Sequence, residues 1–524
     1  MAGHPADRPA LAVESRAMVT IGIMAATIMQ VLDSTIANVA LPHMQGALSA
    51  SQDQIVWVLT SYIVAAAIMT PATGWLADRL GRKRLFLVAV IGFTAASALC
   101  GQARGLIEMV VWRFVQGLLG APLVPLSQAV LLDINPQSRH GQAMAVWGAG
   151  VVMAPIFGPI IGGWLTDNWS WRWVFYINVP VGVATFLLLS VFLAESPGRG
   201  RPFDRLGFLL LALALAALQL MLDRGERADW FDSPEIWTYL LLAVSGLWLF
   251  IWHLPAARHP FITPALFSDR IFVSSLVISF ALGLQLFSTV ALLPPMLQHL
   301  MGYPVVTTGL VMAPRGFGMM VGMMLAGRLM HRIRPHLLIG AGMLVSLVAL
   351  HWMAGFSLQM DWRPVAWSGL LQGFGLGLAF SPLSATAFVT LPTAARTEAA
   401  GLYTLTRNIG ASIGISVLTA LLTRKTQAIH ALLSGHVTPF SHALDGVGAA
   451  VWLALPGNPA LAALDAAGHT PGRHGGLCGH LRHGGLARPA GAAAGAAAQA
   501  AATGSAARAR GRAGAVSAAA AARG

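Results

Sequence analysis

The sequence predicts an all-α membrane protein in which two six-helix bundles are joined by two further helices. Three observations predict this fold class. Of 524 residues, 56% are hydrophobic and only 10% are charged, which is too few charges for the surface of a soluble protein. Apolar runs of about 20 residues alternate with short polar turns, as in membrane-spanning helices. Finally, motifs of the first half recur in the second, which is a transporter architecture.

The apolar runs divide the chain into thirteen predicted spans. They lie near residues 18–41, 55–76, 85–101, 106–131, 144–165, 173–193, 206–222, 236–254, 273–297, 306–327, 337–356, 364–390 and 400–422. The predicted domains are an N-terminal tail (1–17), a first bundle (18–195), two linking helices with their loops (196–270), a second bundle with five recognisable helices (271–423), a periplasmic loop (424–465) and a low-complexity tail (466–524).

Lys and Arg are unequally distributed between the two sets of short loops. Four lie between residues 79 and 84, whereas the loops 43–54 and 298–305 contain none. Because basic loops remain on the cytoplasmic side, the sequence predicts a cytoplasmic N-terminus in a bacterial inner membrane. The same scattered residues explain the formal net charge of +13, so the predicted partner is a lipid bilayer and not a nucleic acid.

The internal repeat rests on three pairs of motifs in the same order, offset by 251 to 257 residues. The pairs are NVALP at 38–42 with TVALLP at 289–294, GWLADRLGRK at 74–83 with GRLMHRIRPH at 327–336, and VQGLLGAPLVPLS at 115–127 with LQGFGLGLAFSPLS at 371–384. Any one match is explained by chance in apolar sequence. Three at nearly one offset indicate two homologous bundles.

Asp33 is the most informative residue, because it is a carboxylate within an apolar run that begins near Met18. An ionised carboxylate deep in a bilayer costs at least ~2.5–3.5 kcal/mol, so such a group normally faces a cavity or a partner. Counted from the predicted outer helix ends at Pro42 and Gly105, Asp33 and Arg113 lie about 14 and 12 Å deep. The two charges therefore share one depth if the first and fourth helices are neighbours.

Two roles are open for this pair: it fixes helix packing, or it couples transport to protons. The repeat places Leu284 or Gln285 opposite Asp33, so the second bundle lacks the deep acid. A single deep acid favours coupling, with Asp33 as the proton carrier and Arg113 as the charge partner that stabilises its ionised form. The predicted supporting polar residues are Asn38 and Gln116, whose alternative role is to join helices.

Several chemistries are not indicated by any motif. The sequence has no Gly-Lys-Ser/Thr phosphate loop, zinc-ligand cluster or nucleophile elbow. We therefore expect no catalytic residue, no metal site and no cofactor other than protons as the coupling ion. The chain is not expected to be an enzyme.

Four motifs resemble those of a known family. GWLADRLGRKR resembles the signature loop of the major facilitator superfamily, and LDSTIANVALP, RFVQGLLGA and APIFGPIIGG resemble motifs of its drug:proton antiporters. The segment WRWVFYINVPVG and the two central helices resemble the fourteen-helix EmrB/QacA branch, the drug:proton antiporter-2 family. The resemblance implies proton-coupled export of hydrophobic or cationic drugs across the inner membrane. It also implies a periplasmic adaptor and an outer-membrane channel as partners.

The resemblance assigns roles to two groups of residues. For the loop after the second span, the resemblance implies a latch that joins the two bundles on the cytoplasmic side, with Asp133 as the partner of one arginine. The alternative, for some basic residues of this loop, is that they serve only to set the membrane topology. The predicted gating residues are Gly74, Asp78, Arg79, Gly81, Arg82 and Asp133. For the fifth span, the resemblance implies an antiporter motif that seals the interface between the bundles; the alternative is a motif that serves helix packing alone. Its residues are Pro155, Gly158, Pro159, Gly162 and Gly163, and they follow Ala154, where the family usually has Gly.

The C-terminal tail departs from the fourteen-helix pattern, because residues 466–524 contain no Asp, Glu, Lys or aromatic Phe, Trp or Tyr and no convincing span. We hypothesise a frameshift near 465–470 that replaced the last helix; a natural disordered tail is the alternative. The rival functions are a specific metabolite exporter or uptake permease of the same fold, a membrane-embedded lipid enzyme, and a non-transporting sensor or decayed gene product.

Overall fold

The computed structural model describes residues 9–434, except 197, 199, 201 and 358. The predicted tail over 466–524 and the loop from 435 onward lie outside the described residues. Within the described part, thirteen long helices and no β-strand are present, which confirms the all-α prediction. The described residues fall into two compact units, 9–352 with 361–417, and 353–360 with 418–434. All the residues of the candidate site belong to the first unit.

The thirteen helices follow the predicted spans closely. They are α1 (Arg16–Ala47), α2 (Asp53–Leu80), α3 (Arg82–Gln102), α4 (Leu106–Ile134), α5 (His140–Asn168), α6 (Trp173–Phe192), α7 (Arg205–Arg224), α8 (Pro234–Ala256), α9 (Arg270–Pro295), α10 (Val305–Leu329), α11 (Pro335–Met353), α12 (Trp362–Thr386) and α13 (Arg396–Ser434). Eleven of the described helices are identified as long and apolar enough to cross a membrane. Helices α5 and α12 are rich in glycine, which lets them pack closely against their neighbours.

Side-chain caps and local sequence fix many of the helix ends. Ser15 caps α1, and Asp204, Asp269 and Asp361 cap α7, α9 and α12 by accepting hydrogen bonds from backbone amides. Gly81 has a φ of +82° between α2 and α3, a conformation that favours glycine, and its packing against the Ser196 carbonyl leaves no room for a side chain.

Two helices run further than predicted. Helix α1 continues past Pro42 to Ala47, because a proline near a helix end removes only one hydrogen bond of the ladder. Helix α13 continues to Ser434, so residues 424–434 are helical and the predicted loop at 424–465 begins too early. No glycine or proline interrupts the chain between Gly414 and Gly435, which leaves nothing in the sequence to stop the helix at 423.

Helix α5 connects the two halves of the protein. It packs against α1 in the first half and against α10 in the second. In the second half, α10 and α12 approach so closely that a Cβ atom at Gly318 or Gly377 would collide with the backbone of the other helix. This glycine seam makes α12 almost completely buried and holds the second half together.

The linking helix α7 contacts both halves. Asp223 accepts a hydrogen bond from Thr60 of α2, while Ser412 and Ser416 of α13 donate to Gln219 and to the Leu222 carbonyl. Its neighbour α8 packs mainly on α7, and Arg224 of α7 donates two hydrogen bonds to Glu235 of α8. The linking helices are therefore part of the packed structure.

Candidate functional site

Asp33 and Arg113 form a buried ion pair between α1 and α4. Both side chains have no exposed surface, and the Arg113 Nη1 atom donates to the Asp33 Oδ2 atom at 2.7 Å. The two residues lie in the packed interior of the first half, on neighbouring helices. An ion pair taken out of water persists only when the geometry and the additional hydrogen bonds are good.

Two amides complete the shell around Asp33. Gln116 donates to the Asp33 Oδ1 atom at 3.0 Å and accepts from Arg113 at 2.7 Å. Asn178 of α6 donates to the same Oδ1 atom at 2.8 Å and also to the Ser97 hydroxyl at 2.9 Å. The carboxylate thus receives hydrogen bonds from three side chains on two other helices, all of which stabilise its ionised form.

Arg113 is held from the side opposite Asp33. Its Nε atom donates to the Val58 carbonyl of α2 at 3.1 Å, and the guanidinium lies 4.3 Å from the centre of the Tyr62 ring. The Phe175 ring lies on a further side, at 5.6 Å. Cation–π contacts in a desolvated site add to the stabilisation of the cation. Arg113 is therefore held by Val58, Tyr62 and Phe175 as well as by Asp33.

Asn38, predicted as a supporting residue, is not part of this cluster. Its side chain is exposed and donates to the Ser34 carbonyl of its own helix at 3.3 Å. The reason is helical geometry, because five residues turn the chain by about 140° beyond one full turn. Asn178 takes the place that the prediction gave to Asn38. In the sequence, Asn178 was recognisable as an amide inside the apolar part of WRWVFYINVPVG.

A second polar cluster joins the two halves at the end of the bundle where α2 ends and α3 begins, called here the α2–α3 end. Asp133, only 1% exposed, forms ion pairs with Arg82 of the first half and with Arg396 of the second, the latter at 2.9 Å. Arg82 also donates to the Thr393 carbonyl at 2.9 Å. The structure thus brings the predicted Arg82 and Asp133 together and adds Arg396, which the sequence analysis missed.

The other residues of the loop motif have different positions. Gly74 packs against Glu398 so closely that a Cβ atom would lie 2.6 Å from the Glu398 Cα atom. Glu398 in turn accepts hydrogen bonds from the amide and hydroxyl of Thr263. Asp78 is half-buried near the end of α2.

The position of Arg79 differs from the prediction that makes it a gating residue between the bundles. It is exposed, and its guanidinium lies over the Trp75 ring of its own helix at 5.6 Å. Four residues separate the two, which places them on one helix face and accounts for the contact. Within the loop motif, the inter-half contacts come from Arg82 and Gly74.

The small residues of the fifth span lie where helices meet. Gly158 and Gly162 face Thr35 and Ile36 of α1, and a Cβ atom at Gly162 would lie 2.7 Å from the Ile36 Cγ1 atom. Ala154 is buried, Pro159 and Gly163 are half-buried, and Pro155 lies inside α5, which runs without a break. On its other side α5 contacts α10, where a Cβ atom at Gly309 would lie 2.8 Å from the Ile160 Cγ1 atom. The motif therefore occupies the interface between the halves.

The helix arrangement and the buried polar site define the class of protein. Residues 23–415 match the family model of the Major Facilitator Superfamily, and the chain belongs to that superfamily. Among curated proteins it is 39% identical over 429 residues to the multidrug export protein EmrB of Escherichia coli K12, covering 81% of this chain and 83% of the relative. It is 38% identical over 442 residues to the fatty acid resistance protein FarB of Neisseria gonorrhoeae, covering 84% and 87%. The resemblance to the EmrB type is confirmed.

Solved structures show the same fold at low sequence identity. The proton:xylose symporter XylE is 13% identical with a TM-score of 0.56, covering 79% of this chain and 90% of that one. The human organic anion transporter MFSD10 is 16% identical with a TM-score of 0.54, covering 78% and 93%. At these identities the likeness establishes the fold.

Proposed function

We propose that the chain is a proton-coupled antiporter that exports hydrophobic or cationic toxic compounds across the bacterial inner membrane by alternating access. Support for export comes from relatives named as multidrug export proteins at 39% identity over most of the chain. Support for proton coupling comes from one observation, the fully buried Asp33 carboxylate paired with Arg113. The chain acts as a transporter and not as an enzyme.

The chemistry of the pair suits a site that alternates between two protonation states. Arg113, Gln116 and Asn178 stabilise the ionised carboxylate, whereas removal from water stabilises the neutral acid. When Asp33 takes up a proton, its attraction to Arg113 falls and the contacts between α1, α4 and α6 weaken. A proton taken up on one side therefore biases the arrangement of these helices, and its release restores the pair.

The cluster at the α2–α3 end supplies the second element of the mechanism. Asp133 pairs with Arg396, and Arg82 donates to the Thr393 carbonyl. In the proposed mechanism these contacts hold this end of the interface shut. With the N-terminus on the cytoplasmic side, as the loop charges predict, the described state is closed to the cytoplasm. Opening requires these ion pairs to separate, so protonation of Asp33 and rupture of the latch are two steps of one cycle.

Assembly with a periplasmic adaptor and an outer-membrane channel is part of the proposal on the basis of the EmrB resemblance. The experiment is co-purification of the tagged full chain from its own host after membrane-permeant crosslinking. An adaptor-like protein with one span would support the assembly, and recovery of the chain alone at matched crosslinking would contradict it.

Asp33→Asn tests the central proposal. The substitution keeps the size of the side chain and one acceptor oxygen, but it removes the negative charge and the ability to exchange a proton. We expect dye efflux from energised cells to depend on the proton gradient in the unchanged chain and to be abolished in the variant. Efflux is measured with and without an uncoupler at matched membrane abundance.

The matched control is Asp53→Asn, the same chemical change at an exposed position near the start of α2. It should leave efflux within about twofold of the unchanged chain, because exposed surface substitutions have small effects. Uncoupler-sensitive efflux that survives Asp33→Asn would assign Asp33 to helix packing and remove it from the coupling mechanism.

A further inference from the structure

The second half contains two buried arginines that the proposed mechanism does not use. Arg315 of α10 and Arg407 of α13 are 6% and 8% exposed. Among the described residues, neither forms an ion pair with a carboxylate, in contrast to Arg113 in the first half. Intramembrane cations are rare and expensive, and they are normally kept where a functional partner compensates the charge.

Arg407 has unused hydrogen-bonding capacity within the first third of its helix. It lies eleven residues beyond the start of α13, about 16 Å from the α2–α3 end. Its Nε atom is buried without a hydrogen-bond partner, and its guanidinium lies 5.8 Å from the centre of the Phe380 ring. The acid on the same helix, Glu398, is nine residues away and is engaged by Thr263.

The surroundings of Arg407 extend to the interface between the halves. The Phe380 ring stacks on Trp147 of α5 with ring centres 6.2 Å apart, and the Trp147 Nε1 atom donates to Thr27 of α1 at 3.3 Å. Met323 of α10 lies beside Gly148 at the same contact. Arg407 thus contacts an aromatic ring that itself packs on an aromatic residue of the other half, and a cation beside apolar and aromatic side chains is the composition of a site for an amphiphilic ligand.

Arg315 brings a second positive charge to this part of the second half. It donates to the Leu286 carbonyl of α9 at 2.9 Å, while Arg407 packs against Gly283 of the same helix. Those two contacts are three residues, or about 4.5 Å, apart along α9. Two positive charges without a carboxylate partner leave the site electrostatically unbalanced in favour of an anion.

We propose that Arg407 binds the acid group of an apolar, anionic substrate, with Arg315 strengthening the positive potential and Phe380 and Trp147 contacting the apolar body. The partner has the chemistry of an amphiphilic carboxylate. This inference rests on the proposed transport function and narrows it: cationic amphiphiles are disfavoured at this subsite. The guanidinium offers a planar pair of donors that matches a carboxylate.

The test uses purified full-length protein and radiolabelled decanoate as the ligand, measured by scintillation proximity near neutral pH. Unlabelled decanoate, decanamide and decylamine compete for the bound label. They share one chain length and differ in head-group charge. We expect decanoate to compete about tenfold or more better than decanamide, because hydrogen bonds to charged groups are stronger, and decylamine to compete least. Equal competition by decanoate and decanamide, preference for decylamine, or no specific binding of decanoate would overturn the proposal.

Substitutions then locate the acid group. Arg407→Gln should weaken decanoate binding about tenfold or more while changing decanamide competition less than twofold, and Arg407→Lys should recover part of the loss. Arg315→Gln should have a smaller effect of the same sign. Arg328→Gln is the control, because Arg328 is an exposed arginine on the same helix as Arg315. Equal losses for decanoate and decanamide would indicate a purely structural arginine and contradict the assignment.

Failure of this inference is distinguishable from failure of the transport proposal. Binding is measured without a proton gradient, so it does not depend on Asp33 acting as the coupling group. If decanoate is preferred but Asp33→Asn still shows uncoupler-sensitive efflux, only the coupling role of Asp33 is refuted. If Asp33→Asn loses that efflux but decanoate is not preferred over decanamide, only the anion subsite is refuted.

Discussion

The side chains around Asp33 show how a single charge is accommodated inside an apolar bundle. The carboxylate is satisfied by one guanidinium and two amides, and each donor comes from α4 or α6. Arg113 is itself satisfied on other sides by Val58 and Tyr62. Such a network is favourable only when every member is present, so it responds strongly to the loss of one.

Asn178→Ala should therefore destabilise the protein. The substitution removes the donor shared by Asp33 and Ser97 and leaves both buried groups with one bond fewer. We expect a loss of about 1–3 kcal/mol in the free energy of unfolding. It is measured as a lower midpoint of thermal unfolding of the purified protein in detergent.

Asn168→Ala is the comparison for this prediction. Asn168 is exposed and bonds the Trp164 carbonyl within its own helix at 2.9 Å. Its loss should change stability by no more than about 0.5 kcal/mol. If the two alanine variants unfolded at the same temperature, Asn178 would not be an energetic part of the Asp33 site.

At the scale of elements, the glycine seam between α10 and α12 decides how closely the two helices approach. A Cβ atom at Gly373 would collide with the Arg315 carbonyl, whereas nothing lies within 4 Å of one at Gly340 on α11. Gly373→Ala should therefore cost about 1–3 kcal/mol through overpacking. Gly340→Ala should be neutral or slightly stabilising, because alanine favours the helix. Thermal unfolding compares the pair, and equal midpoints would contradict the steric reading.

The start of α7 carries a prediction about pH. Burial alone would raise the pKa of Asp204. Its carboxylate accepts hydrogen bonds from the Gly207 amide, from His253 and from the Phe261 amide, and these bonds hold the pKa below its usual range. The unfolded chain then binds the proton more readily, so this contribution to stability is present above the unfolded pKa and lost as the pH falls through the folded one.

Asp204→Asn tests that contribution directly. Relative to the unchanged chain, the variant should unfold at a lower temperature at neutral pH, and the difference should shrink as the pH falls into the acid range below the usual carboxyl pKa. The measurement is the thermal midpoint of both proteins across pH. A difference that is constant with pH would show that the ionised carboxylate is not the stabilising form.

At the scale of the whole molecule, the ion pairs of Asp133 join the two halves at the α2–α3 end. Removing its charge by Asp133→Asn leaves Arg82 and Arg396 without their shared anion. We expect the population open at the α2–α3 end to rise. Spin labels are attached at positions 79 and 332 in a background without the native cysteines. Double electron–electron resonance should then show a longer distance between the labels in Asp133→Asn than in the unchanged chain.

Glu195→Gln is the control for that experiment. It breaks the exposed pair of Arg84 with Glu195, which lies within one half. An exposed pair contributes little, so the distance distribution should stay unchanged. An unchanged distribution in Asp133→Asn as well would mean that helix packing between α5 and α10 alone keeps this end shut.

The sequence by itself determined the helices, the repeat and the depth of the principal charges. Apolar runs long enough to span a bilayer leave the backbone no alternative to helix, so the spans are readable from composition. Asp33 and Arg113 were identifiable together because each is a costly charge at a similar depth, and an acid and a base at one depth predict each other. Gln116 was predicted as a supporting polar residue, and its spacing of three residues from Arg113 puts both on one face of α4.

Only the tertiary structure decided which side chains meet. Asn38 and Asn178 are both amides in apolar segments. Only the rotation of α1 places Asn38 at the surface, and only the approach of α6 places Asn178 at Asp33. Likewise, Arg396 joins Asp133 although it lies 263 residues away in sequence. Helix periodicity fixes the face of a residue relative to its own helix, but the choice of neighbouring helix depends on long-range packing, for which a single sequence carries no local signal.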